Sequence, residues 1–111
     1  MTAPAEPTLT VIYWRDIPAQ VTATNGSRTA RVQLTDRFQE AIDEAAMEAG
    51  LTGSDDYLNE WHRDTQPCES DLERETTAEA DRLEAFHSPE VLQALVRSGG
   101  VASPGDPQPP A

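Results

Sequence analysis

Two short stretches of the sequence hold the residues best suited to chemistry, and the first is the pair Arg15-Asp16. An arginine beside an aspartate could bind a carboxylate or phosphate group and position a proton donor. Adjacent residues of a strand point to opposite faces, so these two could share a task only if a turn rotated one of them. The simpler interpretation, which we favour, is that Arg15 pairs with an acidic helix face and Asp16 caps the turn.

The second stretch contains four residues with metal-capable atoms: His62, Asp64, Cys68 and Glu69. A structural zinc site requires paired ligands such as Cys-x2-Cys or His-x3-His, and neither spacing occurs here. A nucleophilic Cys68 would need a lowered pKa, whereas its neighbours Glu69 and Asp71 would raise the pKa of the thiol. The sequence therefore predicts no metal site, no catalytic residue and no cofactor, and it favours a protein that is not an enzyme.

The element that positions Arg15-Asp16 is the apolar run Leu9–Trp14, whose β-branched and aromatic residues predict a strand. Side chains alternate along a strand, so one face would hold Leu9, Val11 and Tyr13, and the other would hold Thr10, Ile12 and Trp14. Both faces are largely apolar. Either the strand is covered on both sides, or one face binds a partner. Pro18 fixes its own φ and makes Ile17 extended, which predicts a rigid connection out of the strand.

Two further strands, Gln20–Thr24 and Thr29–Leu34, flank Asn25-Gly26, a strong hairpin signal. The simplest topology is a three-stranded antiparallel meander with the first strand at an edge. An exposed apolar edge strand promotes aggregation. The pattern therefore predicts a helix, a homodimer or a partner chain that covers this edge.

Apolar periodicity and capping residues predict the helices that follow. The first helix is Asp36–Ala49 with Thr35 as N-cap, and the second is Asp55–Arg63 with Ser54 as N-cap. Residues 65–69 are a linker. The third helix runs from the Ser70–Glu73 capping box to about His87, and the fourth helix starts at Ser88-Pro89. The acidic faces of the third helix are expected to be solvated, with docking of a basic patch as the alternative. The fold class is α+β: a three-stranded antiparallel sheet near the N-terminus, packed by three to four helices. We expect a disordered arm over 1–8, a single domain over 9–98 and a disordered proline-rich tail over 99–111.

The composition limits the partners. The formal net charge is −12, so the chain should avoid nucleic acid and anionic membranes and should prefer basic protein surfaces or cationic ligands. The single cysteine cannot form an internal disulfide. The N-terminus lacks the features of a signal peptide, and no apolar run is long enough to span a membrane. These observations predict a cytoplasmic protein.

Three segments, Ile12–Val21, Arg31–Gly50 and Asp55–Trp61, resemble a small bacterial family known as virulence factor. The resemblance covers about residues 9–97, and the first segment is the most specific. The family is related to a domain of a staphylococcal conserved virulence factor, and its name alone does not predict virulence. Its members are often encoded beside methylenetetrahydrofolate reductase-like and corrinoid methyltransferase proteins. The resemblance therefore implies an accessory role in one-carbon metabolism and implies no catalytic residues.

Together these features predict a non-catalytic accessory subunit of a larger cytoplasmic enzyme system, and the resemblance suggests folate or corrinoid one-carbon metabolism. The residues expected to contact the partner are Ile12, Trp14, Arg15, Asp16, Ile17 and Pro18. One alternative is a small enzyme or ligand-binding domain whose pocket, between sheet and helices, uses Arg15, Asp16 and His62. A weaker alternative is an acidic mimic of nucleic acid, in which the carboxylates of the third helix would be spaced like phosphates.

Overall fold

The computed structural model describes residues 6–53 and 55–102, so the predicted cap at Ser54 and parts of the predicted arm and tail lie outside the described residues. The described elements are β1 (Thr8–Trp14), β2 (Ile17–Thr24), β3 (Thr29–Gln33), α1 (Asp36–Glu48), α2 (Asp55–Asn59), β4 (Trp61–Pro67), α3 (Leu72–Phe86) and α4 (Pro89–Arg97). The predicted α+β class, with an antiparallel sheet and four helices, is confirmed.

The sheet has four strands in the order β3-β2-β1-β4, and every neighbouring pair is antiparallel. The predicted number of three strands is wrong, because the segment expected to be a helix end and a linker forms β4. The predicted exposed edge at β1 is also wrong. β4 pairs along the whole length of β1, which places β1 in the interior of the sheet.

β4 forms although most of its residues have little strand propensity, because side-chain contacts with β1 stabilise it. Trp14 lies opposite Trp61 and Tyr13 lies opposite His62, and the Tyr13 and His62 rings stack with their centroids 5.4 Å apart. Further along, the hydroxyls of Thr10 and Thr65 share a hydrogen bond of 2.9 Å. Cross-strand pairs of this kind stabilise a sheet more than single-residue preference does.

β2 begins directly after a two-residue turn, so the predicted rigid connection is in fact the start of the second strand. Pro18 pairs with Tyr13 and Gln20 pairs with Ile12, which leaves Ala19 as the extra residue of a β-bulge. A proline has no N–H to give to a ladder, and in an inner strand it is tolerated at a bulge. The bulge therefore explains how Pro18 fits between β1 and β3.

The two faces of the sheet differ in character. One face carries small and branched apolar side chains that contact α3 and α1, and this face forms the core. Its cross-strand rows are Leu9, Ala23 and Ala30, then Val11, Val21 and Val32. The opposite face carries the row Thr65, Thr10, Thr22 and Arg31, none of which is buried. The predicted assignment of β1 side chains to its two faces is consistent with these rows.

The helix ends follow local chemistry. Asp71, rather than the predicted Ser70, is the N-cap of α3, and its carboxylate accepts a hydrogen bond from the N–H of Arg74. Ser88 caps α4 and Pro89 occupies the first turn, as expected from the missing N–H of proline. No helix within residues 6–53 and 55–102 is long and apolar enough to cross a membrane.

Candidate functional site

Arg15 and Asp16 form the tight turn between β1 and β2, and several other segments are bonded to this turn. The backbone N–H of Arg15 donates to the Glu60 carbonyl at 3.1 Å, and the N–H of Asp16 donates to the Gly100 carbonyl at 2.8 Å. His62 Nε2 donates to the Arg15 carbonyl at 2.5 Å. The turn therefore joins the β1–β2 hairpin to the start of β4 and to the segment that follows α4.

The side chains of the turn are also engaged within the molecule. The Arg15 guanidinium donates to the Gly99 carbonyl at 3.0 Å and to the Glu60 carboxylate at 3.3 Å. Asp16 Oδ2 accepts a hydrogen bond of 2.6 Å from the N–H of Ala102. Arg15 thus pairs with an acid, as the simpler interpretation predicts, although Glu60 lies between α2 and β4 and not on a helix face. These bonds hold Arg15 at a φ of 52°, which non-glycine residues rarely adopt.

Of the six residues predicted to contact a partner, three are buried in the core: Trp14, Ile17 and Pro18. The indole N–H of Trp14 donates to the Tyr57 carbonyl at 2.9 Å, and the backbone of Gly100 packs against the indole ring. A Cβ at Gly100 would lie 2.8 Å from the Trp14 ring, so any other residue there would force the buried indole or the backbone to shift. In this conformation a partner can reach only Ile12, Arg15 and Asp16 among the six.

A cavity of about 160 Å³ lies beside the turn, and its chemistry is acidic and aromatic. It joins Asp16 and His62, two of the three residues named for the ligand-binding alternative, whereas Arg15 does not belong to its lining. It also includes groups that the sequence did not indicate, because they come from distant parts of the chain. The lining residues are Tyr13, Asp16, His62, Asp64, His87, Leu95 and Ala102. Both histidines of the chain therefore meet in one cavity.

His87 is the most deeply buried polar group of the cavity, with 3% of the residue exposed. Its Nδ1 lies 2.9 Å from the Leu83 carbonyl oxygen. A carbonyl can only accept, so Nδ1 carries the proton and Nε2 of the neutral ring carries a lone pair. Burial lowers the pKa of His87, and the nearby guanidinium groups of Arg37 and Arg82 lower it further, which keeps the ring neutral.

Tyr13 forms part of the cavity wall, stacked on His62. Burial raises the pKa of its phenol, and the charges of Asp64 and Glu79 raise it further. The hydroxyl therefore keeps its proton and can donate a hydrogen bond. The same cause operates at Cys68, where burial and the nearby Glu75 and Glu69 raise the pKa of the thiol. Cys68 is thus a poor nucleophile.

Several acids of α3 are engaged within the molecule. Glu84 accepts hydrogen bonds from the backbone and hydroxyl of Thr35 and from Arg37, and Glu79 pairs with Arg82. Only part of the predicted acidic face of α3 is therefore free for solvent or a partner. Within residues 6–53 and 55–102, no group of three or more His, Cys, Asp and Glu is arranged to hold a metal ion.

β4 has an inner and an outer edge, and bonds at its two ends identify the groups on each. Cys68 N–H donates to the Pro7 carbonyl at 3.1 Å, and Arg15 N–H donates to the Glu60 carbonyl at 3.1 Å. In an antiparallel ladder the hydrogen-bonded pairs alternate with non-bonded pairs. Because residues 60 and 68 are both bonded to the β1 side, every second residue between them, at positions 62, 64 and 66, also bonds to β1.

The backbone groups of Arg63 and Thr65 therefore point away from the sheet. No described residue forms a hydrogen bond with them, and six of the seven residues of β4 are exposed. In the described part of the chain, β4 is thus an open edge strand whose outer donors and acceptors face solvent. No pattern in the sequence indicates this edge, because the segment lacks apolar alternation.

Comparison with known proteins identifies the family. Residues 12–96, more than half of the chain, match the family model described as virulence factor. Searches of curated proteins and of solved structures found no significant match. The family match runs from within β1 to within α4 and includes the Arg15-Asp16 turn, β4 and the residues that line the cavity apart from Ala102. The resemblance seen in the sequence is confirmed, and the chain belongs to the virulence factor family.

Proposed function

We propose that this protein is a non-catalytic accessory subunit that binds an extended segment of a larger protein along the outer edge of β4. The observation that supports this most directly is the set of unbonded N–H and C=O groups of Arg63 and Thr65. Exposed sheet edges recruit strands of other proteins through main-chain hydrogen bonds. The proposed contact thus moves from the β1–β2 turn to the neighbouring strand.

Charge argues for the type of segment. The chain has a net charge of −12, and the acids Asp64 and Glu69 in or next to β4 outnumber Arg63, while Glu60 is paired with Arg15. A basic segment would be attracted to this surface, whereas two copies of the chain would repel each other. The expected occupant is therefore a basic strand of a different protein. A β4–β4 homodimer is the competing outcome, and the oligomeric state in solution tests it.

The family resemblance suggests which proteins to test. Members of this family are often encoded beside methylenetetrahydrofolate reductase-like and corrinoid methyltransferase proteins, so the proposed partner is one of these cytoplasmic enzymes. The experiment measures binding of the purified enzymes to the wild-type chain and to Thr65→Pro. Proline is tolerated in an edge strand where the missing N–H would face solvent, so the variant should fold.

Thr65→Val is the matched control, because it removes the same hydroxyl and keeps the N–H. We expect Thr65→Pro to weaken binding about tenfold or more through a lost main-chain bond and a blocked strand register. Thr65→Val should bind like the wild type. Equal binding of the partner enzyme by the two variants would overturn the proposed contact at the β4 edge. If Asp81→Asn weakened binding more than Thr65→Pro does, the contact would lie on α3 instead.

A second function, binding of a small molecule, is supported by the cavity that brings His62 beside Asp16. This function is compatible with partner binding because the two use different atoms. The outer edge of β4 offers backbone groups of Arg63 and Thr65, whereas the cavity offers polar side chains from β1, the β1–β2 turn, β4 and the residue after α3.

A further inference from the structure

The cavity beside the β1–β2 turn contains a buried group with an unused hydrogen-bonding atom. His87 is 3% exposed, and its Nδ1 is bonded to the Leu83 carbonyl. Its Nε2 forms no hydrogen bond with any described residue. Yet no fully buried side-chain nitrogen or oxygen in the described part of the chain lacks a partner. Nε2 must therefore reach solvent, and the cavity is the open space that His87 lines.

The other polar groups of the cavity are mostly acceptors as well. Asp16 uses one carboxylate oxygen for the N–H of Ala102, which leaves Oδ1 unused, and Asp64 contributes a second carboxylate. The lining includes no arginine, since Arg15 points to Glu60 and Arg82 pairs with Glu79. Two carboxylates and several aromatic rings line the cavity and favour a cation that donates hydrogen bonds, and this attraction must exceed the repulsion from the guanidinium groups of Arg37 and Arg82 near His87.

We propose that this cavity binds a small organic cation with N–H donors, such as a guanidinium or primary ammonium group, with His87 Nε2 and the carboxylates of Asp16 and Asp64 as acceptors. The stacked rings of Tyr13 and His62 form the wall against which the cation lies. The cavity volume of about 160 Å³ lies below the roughly 300–1,000 Å³ of pockets for drug-sized ligands, so the cavity suits a ligand of a few heavy atoms. This inference rests on the second function and is independent of partner binding at β4.

The test uses methylguanidinium as the probe and N-methylurea, a neutral molecule of the same shape, as its control. Nuclear magnetic resonance of the full chain follows the ring signals of Tyr13, His62 and His87. We expect saturable shifts with methylguanidinium in the millimolar range, and binding of N-methylurea weaker by about tenfold. Equal binding of both probes, or no saturable shift of the cavity signals, would overturn the proposal.

Two pairs of variants separate the cavity from the acidic surface. Asp64→Asn should weaken methylguanidinium binding about tenfold, whereas Asp81→Asn on α3 should leave it unchanged. His87→Asn retains a donor for the Leu83 carbonyl and loses the acceptor at Nε2, whereas His87→Gln can restore an acceptor. If both members of each pair behave alike, the cavity is not the binding site.

Thr65→Pro distinguishes failure of this proposal from failure of partner binding. The variant alters the outer edge of β4 and leaves the side chains of the cavity in place. We expect it to bind methylguanidinium like the wild type even where it no longer binds the partner enzyme. Loss of both activities in Thr65→Pro would contradict the independence of the two sites.

Discussion

Trp14 connects three parts of the chain, and this role explains its complete burial. Its indole is hydrogen-bonded to Tyr57 at α2, and its ring contacts Tyr57 and the backbone of Gly100. The Arg15 guanidinium lies 5.3 Å from the ring centroid. The packing of Trp14 and the hydrogen bonds of Arg15 and Asp16 thus both hold the β1–β2 turn in place.

Trp14→Ala should lower the free energy of unfolding by about 3–5 kcal/mol, because it removes the largest fully buried side chain and leaves a cavity. Urea unfolding followed by circular dichroism measures the change. Ile12→Ala is the control, since Ile12 lies on the same face of β1 and is half-buried, and it should cost about half as much or less. Equal losses would show that the Trp14 contacts add nothing beyond strand burial.

His87 makes stability depend on pH. Its pKa in the folded chain lies below the ordinary value of 6.5, so in the window between these two values the unfolded chain binds more protons. The free energy of unfolding should fall as the pH drops from about 6.5 to the folded-state pKa, by up to about 1.4 kcal/mol per pH unit. Urea unfolding at about pH 7.5 and at about pH 5.5 measures this slope.

His87→Asn is the variant for this experiment, because it removes the titrating group and retains an N–H for Leu83. Its pH dependence over the window should be smaller than that of the wild type. Glu84 does not interfere. Burial opposes its ionisation, but hydrogen bonds from Thr35 and Arg37 outweigh burial and lower the pKa of Glu84 below 4.5. An unchanged slope in His87→Asn would assign the pH dependence to other groups.

At the scale of elements, the sequence predicts what its own periodicity encodes. The alternation of Leu9, Val11 and Tyr13 with Thr10, Ile12 and Trp14 assigns β1 to two faces, and the register of the sheet agrees with it. The amphipathic patterns and caps predict α1, α3 and α4 to within a few residues. These elements bury one apolar face each, so their pattern is visible in a single segment.

β4 could not be predicted in this way, because its stability comes from its neighbour. The letters HRDTQP contain no apolar alternation, and an edge strand exposed on both faces needs none. The spacing of Tyr57, Leu58 and Trp61 is typical of the apolar side of a helix. In the structure, Trp61 instead begins β4 and packs edge-to-face on Tyr57. The helical pattern therefore ended earlier than its spacing indicated.

The cavity was predicted only in part. Arg15, Asp16 and His62 stood out by residue type, and the structure does bring His62 to the turn. Tyr13 and His87 come together only through the pairing of β1 with β4 and the path of α3, so no local spacing in the sequence connects them. Trp14, Ile17 and Pro18 are buried, and Trp14 is covered by the backbone of Gly100, a residue of the predicted tail whose local sequence does not indicate this contact.

At the scale of the whole molecule, a net charge of −12 should affect folding and binding in opposite directions. Like charges in a compact chain repel each other, and salt screens this repulsion, since the Debye length falls from about 30 Å at 0.01 M to about 3 Å at 1 M. Four salt bridges oppose this trend in the described residues, but the Arg28–Glu73 pair is largely exposed and contributes little. Added salt should therefore raise the free energy of unfolding.

Attraction between the acidic chain and a basic partner is screened by the same salt. Raising sodium chloride from low to near-molar concentration should stabilise the isolated chain by about 1 kcal/mol and weaken partner binding about tenfold or more. Urea unfolding and titration calorimetry, carried out in the same buffers, measure the two effects. Sodium chloride is preferred to sulfate, which stabilises folded proteins by exclusion from their surface. Binding that is insensitive to salt would contradict a basic partner, while destabilisation by salt would show that the ion pairs outweigh the repulsion.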